Sequence, residues 1–264
     1  LPLTSPHLPH CPGEEFVGKS AVGVYGDFMM ETDYRIGQVL DALDAQGLAD
    51  NTLVILSSDN GAETNYVDRI GEYGHFSNGR NKGGKRDIYE GGHRVPLVMR
   101  WPGVIQPSTV CEEPVCQTDL LATFASMLGA TLPDDSGEDS YNLMPAINGD
   151  GFDRPLRGPI IHHSSLGFFA IRDGKWKLNL FRGSGGSLQP TVMKPGPGET
   201  PFELYDLNTD PLEETNLYDI YPEVVNRLQQ SITDIVRNGR STPGIPQSND
   251  GDAWWPQLTW MKNE

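Results

Sequence analysis

Thr52-Leu53-Val54-Ile55-Leu56-Ser57-Ser58-Asp59-Asn60-Gly61 decides how this chain is read. An apolar, β-branched run stops on a polar Ser-Asp-Asn-Gly turn. That composition predicts a strand buried on both faces, as inside an α/β sheet. Upstream, Ser20 to Gly47 places Val24, Tyr25, Phe28, Met29, Ile36, Val39, Leu40 and Leu43 close to one helical face, with Gly47 positioned as a C-cap. A helix leading into a buried strand signals α/β architecture. Downstream, residues 61–94 are rich in Gly, Asn, Arg and Lys with little periodicity. Connections that long tend to be functional or disordered, so function is expected there.

Farther out, Val95 to Trp101 reads as a second strand and Thr118 to Leu128 as a helix ended by Gly129. The stretch from Leu132 to Arg157, rich in Asp, Gly and Pro, predicts a boundary between a unit at 1–150 and a smaller one at 151–264. In the second unit Ile160 to His163, Phe168 to Arg172, Lys175 to Leu180 and Glu203 to Leu207 read as short strands, with Asp173-Gly174 a hairpin turn. Pro222 to about Asn238 spaces Val225, Leu228, Ile232, Ile235 and Val236 as a helix. The expectation is a small antiparallel sheet with one covering helix, then a tail from Gly239 lying over the surface.

Composition removes several classes of function. The 264 residues carry a net charge of −16, which repels polyanions, so nucleic acid is not an expected partner. No apolar run approaches the roughly 20 residues of a membrane helix, so no membrane partner is expected. Cys11, Cys111 and Cys116 allow at most one bridge and equally suit free thiols. The opening Leu1-Pro2-Leu3-Thr4-Ser5 lacks an initiator Met and a signal pattern and reads like a segment already inside a fold. A chain cut from something longer is expected.

Asp59 and Asn60 sit directly after the strand, where α/β folds place ligands, and offer hard oxygens suited to Ca²⁺ or Mg²⁺. Ser58-Asp59-Asn60-Gly61 equally suits a plain turn. Gly83-Gly84-Lys85-Arg86 through Tyr89-Glu90-Gly91-Gly92-His93-Arg94 joins glycines to a cluster of cations, which suits either an anionic ligand or a solvated basic loop. His7 and His10 lie beside prolines in an extended segment. His162-His163 closes a strand, and His75 and Arg80 lie in the long loop. Trp254 and Trp255 suit stacking on a sugar or a tail packed on the core.

Taken in order, His7, Asp59-Asn60-Gly61, Gly84-Lys85, Tyr89-Glu90-Gly91-Gly92 and Arg94-Val95-Pro96 resemble the second half of the sulfatases, in the alkaline-phosphatase-like superfamily. Phe169 to Leu178 and Glu203 to Leu207 with Asp210-Pro211 resemble that family's C-terminal sheet. The resemblance implies a partial alkaline-phosphatase-like α/β sandwich followed by a small antiparallel β subdomain with a helix. It implies hydrolysis of a sulfate ester on an aryl or carbohydrate substrate, and a secreted or periplasmic location. It also implies roles residue by residue. Asp59 and Asn60 supply two ligands of one Ca²⁺, Lys85 contacts the sulfate and bridging oxygen, and His7 hydrogen-bonds the sulfate with His10 as its near neighbour. His162 and His163 line the substrate pocket, while His93 is structural.

One departure matters. The family's nucleophile is a formylglycine made within Cys/Ser-x-Pro-x-Arg, and Cys11-Pro12-Gly13-Glu14 does not match it, nor do Cys111 and Cys116. The resemblance places that motif and the remaining calcium ligands in an N-terminal half, the expected partner of this chain, without which it is expected to be inactive. A phosphomonoester or phosphonate hydrolase of the same superfamily, and a non-catalytic sulfatase-like module, are the alternatives.

Overall fold

The computed structural model describes residues 1–150, 155–252 and 254–261, so the expected boundary at 150/151 abuts residues outside that set. Helix α1 is Gly23–Ala45. Gly47 follows with φ +65°, and the Leu48 N–H donates to the Leu43 carbonyl at 2.9 Å. Glycine ends the helix because it alone enters that left-handed turn without a Cβ penalty.

Strand β1 is Val54–Ser57. The long loop that follows holds more structure than its sequence predicts: α2 at Tyr66–Tyr73, β2 at Ser77–Arg80 and a single turn, α3, at Glu90–His93. Helix α2 is short, and left-handed Gly74 stops it. Strand β3, Leu97–Arg100, pairs antiparallel with β1 from Val54↔Arg100 to Ser57↔Leu97. Helix α4 is Leu120–Met127 and α5 is Met144–Asn148.

The expectation that β1 is buried on both faces is not met. Among the described residues β3 is its one strand neighbour, and Leu56 and Val98 remain 38% and 57% exposed. Composition reports that a strand is fit for burial, whereas the covering layers come from elsewhere in the fold. The apolar face of α1 is likewise partly open, at Val24, Met29 and Val39.

The second sheet follows the sequence closely. Strands β4 (Ile160–His163), β5 (Phe169–Asp173), β6 (Trp176–Asn179) and β7 (Glu203–Asp206) are neighbours in chain order, all antiparallel. Gly174, at φ +57°, opens the two-residue turn that pairs Asp173 with Trp176. Side chains alternate across a strand, so each register row belongs to one face. Ile171, Leu178 and Leu204 form one row and pack beneath helix α6, Pro222–Asn238, against Val225, Leu228 and Ile232.

The tail corrects the expectation of a surface strap. Leu258 and Trp260 enter this core, and the Trp260 Nε1–H donates to Thr233 Oγ1 at 3.1 Å. Trp254 and Trp255 stay 43% and 46% exposed. All three cysteines are free.

On the opposite face lie Ala170, Arg172, Lys177 and Tyr205, by the same alternation. Ile88 and Tyr89 pack with Ala170 and Tyr205 there. The small sheet is thus a platform, with a helix under it and the loop around Lys85 on top.

Candidate active site

Backbone contacts join the two loops singled out in the sequence. The Gly61 N–H donates to the Gly92 carbonyl at 3.1 Å and the Lys85 N–H to the Ala62 carbonyl at 2.8 Å. Asn78 braces both loops, accepting from the Ala62 N–H at 2.6 Å and donating from Nδ2 to the Gly83 carbonyl at 2.9 Å. Asp59, Asn60 and Lys85 are therefore carried on one rigid junction.

The glycines are what permit it. A Cβ at Gly61 would stand 1.8 Å from the Gly91 carbonyl oxygen, and one at Gly91 would stand 2.2 Å from that of Gly83. Those neighbours are backbone and cannot swing aside. Gly91→Ala is expected to destabilise the protein by about 1–3 kcal/mol, the usual cost of overpacking. Urea midpoints with unchanged m-value check this; a midpoint equal to wild type would refute the close-packing argument.

At the junction Asp59 is exposed, and its carboxylate has no hydrogen-bond or ion-pair partner among the described residues. The Asn60 Nδ2 donates to the Gly61 carbonyl at 2.9 Å, leaving Oδ1 as an acceptor. Lys85 is 23% exposed in its side chain, with Nζ 3.8 Å from Glu63 Oε2. Glu63 is bound more closely by Arg86, and that guanidinium is the main cause holding its carboxyl at about 2. Two cations share that carboxylate, with Lys85 the more loosely held, and Asp87 is a further negative charge acting on Arg86.

The histidines separate. His7 is exposed, with Nδ1 2.6 Å from the Leu8 carbonyl. His10 packs edge-on to Tyr25, ring centres 5.4 Å apart, and burial, followed by the charge of Arg69, lowers its pKa. His75 flanks the same Tyr25 at 6.0 Å. Among the described residues no hydrogen bond or ion pair ties His7 or His10 to Asp59, Asn60 or Lys85. Arg80 lies over the Phe76 ring.

His162 and His163 part as strand neighbours must. His163 is exposed and meets the Ser164 carbonyl through Nδ1 at 2.9 Å. His162 turns to the platform's upper face, its ring 4.3 Å from His93. Neither Nε2 of that pair has a hydrogen-bond partner among the described residues, and both are shielded from solvent.

Sequence reading missed the ionic cluster beneath the loop. Lys177 is wholly buried, with Nζ 3.1 Å from Glu90 Oε1 and 2.9 Å from Glu213 Oε1. Arg172, directly across the sheet from Lys177, places Nη1 3.0 Å from Glu90 Oε2. Like charges facing each other across strands repel; here Glu90 bridges them. Glu213 Oε2 also accepts the Glu90 N–H at 2.7 Å, and its carbonyl accepts from Lys82 Nζ at 2.9 Å. Lys177 had a signal, a lysine in a strand on the opposite parity to Leu178. Glu213 had none.

The sulfatase family model matches residues 2–130. An N-acetylgalactosamine-6-O-sulfatase of Bacteroides thetaiotaomicron is 34% identical over 233 residues, 87% of this chain and 45% of that protein. Human arylsulfatase A is 35% identical over 240 residues, 85% of this chain and 45% of its own length. A solved sulfatase from a glycosaminoglycan-metabolism locus of B. thetaiotaomicron superposes with a TM-score of 0.75 at 29% identity, covering 88% of this chain and 48% of that one. The fold and these matches define part of an alkaline-phosphatase-like α/β fold. The chain belongs to the sulfatase family and spans about half the length of the curated relatives it matches.

Proposed function

We propose that this chain forms one wall of a site hydrolysing sulfate esters of aryl or carbohydrate compounds. The observation that carries the reading is the backbone docking of Gly61 and Ala62 on Gly92 and Lys85. It holds the turn that carries hard oxygen donors against the loop that carries a lysine. The Lys85 ammonium contacts the sulfate and the bridging oxygen, where it offsets charge that grows as the ester bond breaks. Exposed His7 hydrogen-bonds the sulfate, with His10 beside it; exposed His163 borders the substrate pocket, and His162 supports that border from within.

The donor set at Asp59 and Asn60 fits a calcium ion in kind, since both present free oxygens. Ca²⁺ takes six to eight oxygen ligands, and no cluster of three or more metal-binding side chains occurs among the described residues. The remaining ligands would come from the half of the protein that the relatives possess beyond this match. Bound calcium would neutralise charge on the sulfuryl group. That same half would supply the formylglycine nucleophile, the open faces of β1 and α1 being the surfaces it would cover. Among the described residues no helix is long and apolar enough to cross a membrane. A secreted or periplasmic location belongs to the same reading.

The test is hydrolysis of a chromogenic aryl sulfate, with calcium, by this chain joined to an upstream half carrying Cys/Ser-x-Pro-x-Arg and co-expressed with its maturing enzyme. Lys85→Ala is expected to lower kcat about 100-fold with unchanged circular dichroism. Full activity in that variant would remove Lys85 from the site.

A further inference from the structure

Lys177 belongs to β6 and Glu213 to the segment after β7, yet both converge on the loop that carries Lys85. Glu90 opens α3, five residues beyond Lys85, and every polar atom of its carboxylate and its own N–H is engaged from the small sheet's side. Oε1 meets Lys177, Oε2 meets Arg172, and the N–H donates to Glu213. The other end of the loop is held as well, since Lys82 Nζ donates to the Glu213 carbonyl and lies 4.0 Å from the Tyr89 ring centre. Between these two anchors the Gly91 N–H donates to the Lys82 carbonyl at 2.8 Å, closing residues 82–91 into a ring. Lys85 stands on that ring and bonds outward to Ala62.

Glu213 is held in an unusual posture to serve both ends. It is a non-glycine residue with φ +53°, a conformation side-chain-bearing residues rarely adopt and one that persists when the surroundings over-determine it. Its carboxylate reaches Glu90 and Lys177 while its carbonyl reaches Lys82. A residue needed only to neutralise Lys177 would require no such turn of the backbone. A hydrophobic pair of the same size would also fill the space, and often with no loss of stability; what it would lack is directionality.

We propose that Lys177 and Glu213 are positioning residues, which clamp the 82–91 ring from below and so set where Lys85 stands against the Asp59-Asn60 turn. The inference rests on Lys85 being the sulfate-contacting group, and it adds the small C-terminal sheet to the working parts of the site. Neither residue reaches the exposed junction, since both side chains are wholly buried.

The decisive variant is K177M/E213Q. It removes one charge of each sign and leaves Glu90 paired with Arg172, so no buried charge is stranded. Amide exchange of this chain, read by mass spectrometry, is expected to speed about tenfold or more in peptides spanning 60–64 and 82–93 while α6 keeps its protection. In the joined protein used for the aryl sulfate assay, kcat is expected to fall about tenfold with KM within about twofold, the mark of an interaction used at the transition state. E213Q alone, which retains an oxygen for the Glu90 N–H, covers the case in which the double variant does not fold; it is expected to speed exchange in the same peptides and no others. Unchanged exchange in 82–93, or loosened exchange with unaltered kcat, would overturn the positioning role. Full activity in Lys85→Ala would instead overturn the reading of the site, with the loosened exchange of K177M/E213Q still showing the clamp.

Discussion

Lys177→Met is expected to destabilise the protein by about 3–5 kcal/mol, the cost of breaking a buried ion pair from one side. Both Glu90 and Glu213 lie within 3.1 Å of its Nζ, so the variant leaves two carboxylates facing each other, with Arg172 serving only the first. The loss should shrink in acid, and the sign follows from Glu213. Burial already raises its pKa above the ordinary value, with Lys177 as the leading opposing influence. Without Lys177 the folded-state pKa rises further above that of the unfolded chain. A carboxyl raised in this way binds its proton more tightly in the folded state, so stability recovers as pH falls towards the unfolded value. Urea denaturation at pH 7.5 and 5.5 reads both effects. K177M/E213Q should regain more than half of the loss, because contacting charges are not additive. A cost below about 1 kcal/mol at pH 7.5, the range of an exposed pair, would mean that the cluster is hydrated and not the dry clamp described here.

The parts of the fold that sequence makes legible are those decided by local rules. Helix α6 has its Val225, Leu228 and Ile232 stripe buried as spaced, and β5 and β6 meet at Gly174 as turn chemistry requires. The exposure of β1 was not legible, because it depends on which layers cover Leu56 and Val98, and no local signal encodes that. Helix α2 was hidden for a related reason: with only Tyr66 and Arg69 buried, its eight residues are too few to establish a helical period against a polar background.

At the site the division is similar. Asp59, Asn60 and Lys85 were legible as residue types in a recognisable order; the docking of their two loops accounts for the glycines at 61 and 84, and the tight folding of the second loop on itself for those at 91 and 92. The clamp was not legible, because Glu90 and Glu213 are 123 positions apart and sequence separation carries no contact information. Lys177 illustrates the cost of reading strands by hydrophobicity alone. In a period-two pattern a charged residue is assigned to solvent, whereas here the solvent side of the sheet is occupied by the loop it serves.

The protein is expected to lose about 2 kcal/mol of stability between pH 7 and pH 5 through His93 alone. Burial is the main cause holding His93 at about 4 and His162 well below its ordinary value, with Lys177 opposing a proton on either ring, His163 opposing one on His93 and His93 opposing one on His162. Above about 6.5 both rings are neutral whether the chain is folded or not, and they contribute no pH dependence. Below it the unfolded chain takes up protons that the folded chain excludes, so stability falls with pH until His93 itself titrates near 4. The other charges around the pair act elsewhere or more weakly. Glu90 has a lowered pKa and costs stability only below the usual carboxylate range, while raised Glu213 opposes the loss. His10, also lowered, sits apart beside Tyr25 and adds to the loss in the same window. His93→Gln with His162→Gln keeps polar side chains of similar size but removes the titration, so its stability should change by less than half as much between pH 7 and pH 5. Urea unfolding at pH 7.0, 6.0 and 5.0 gives the comparison, and parallel curves for the two proteins would place the acid sensitivity outside this pair.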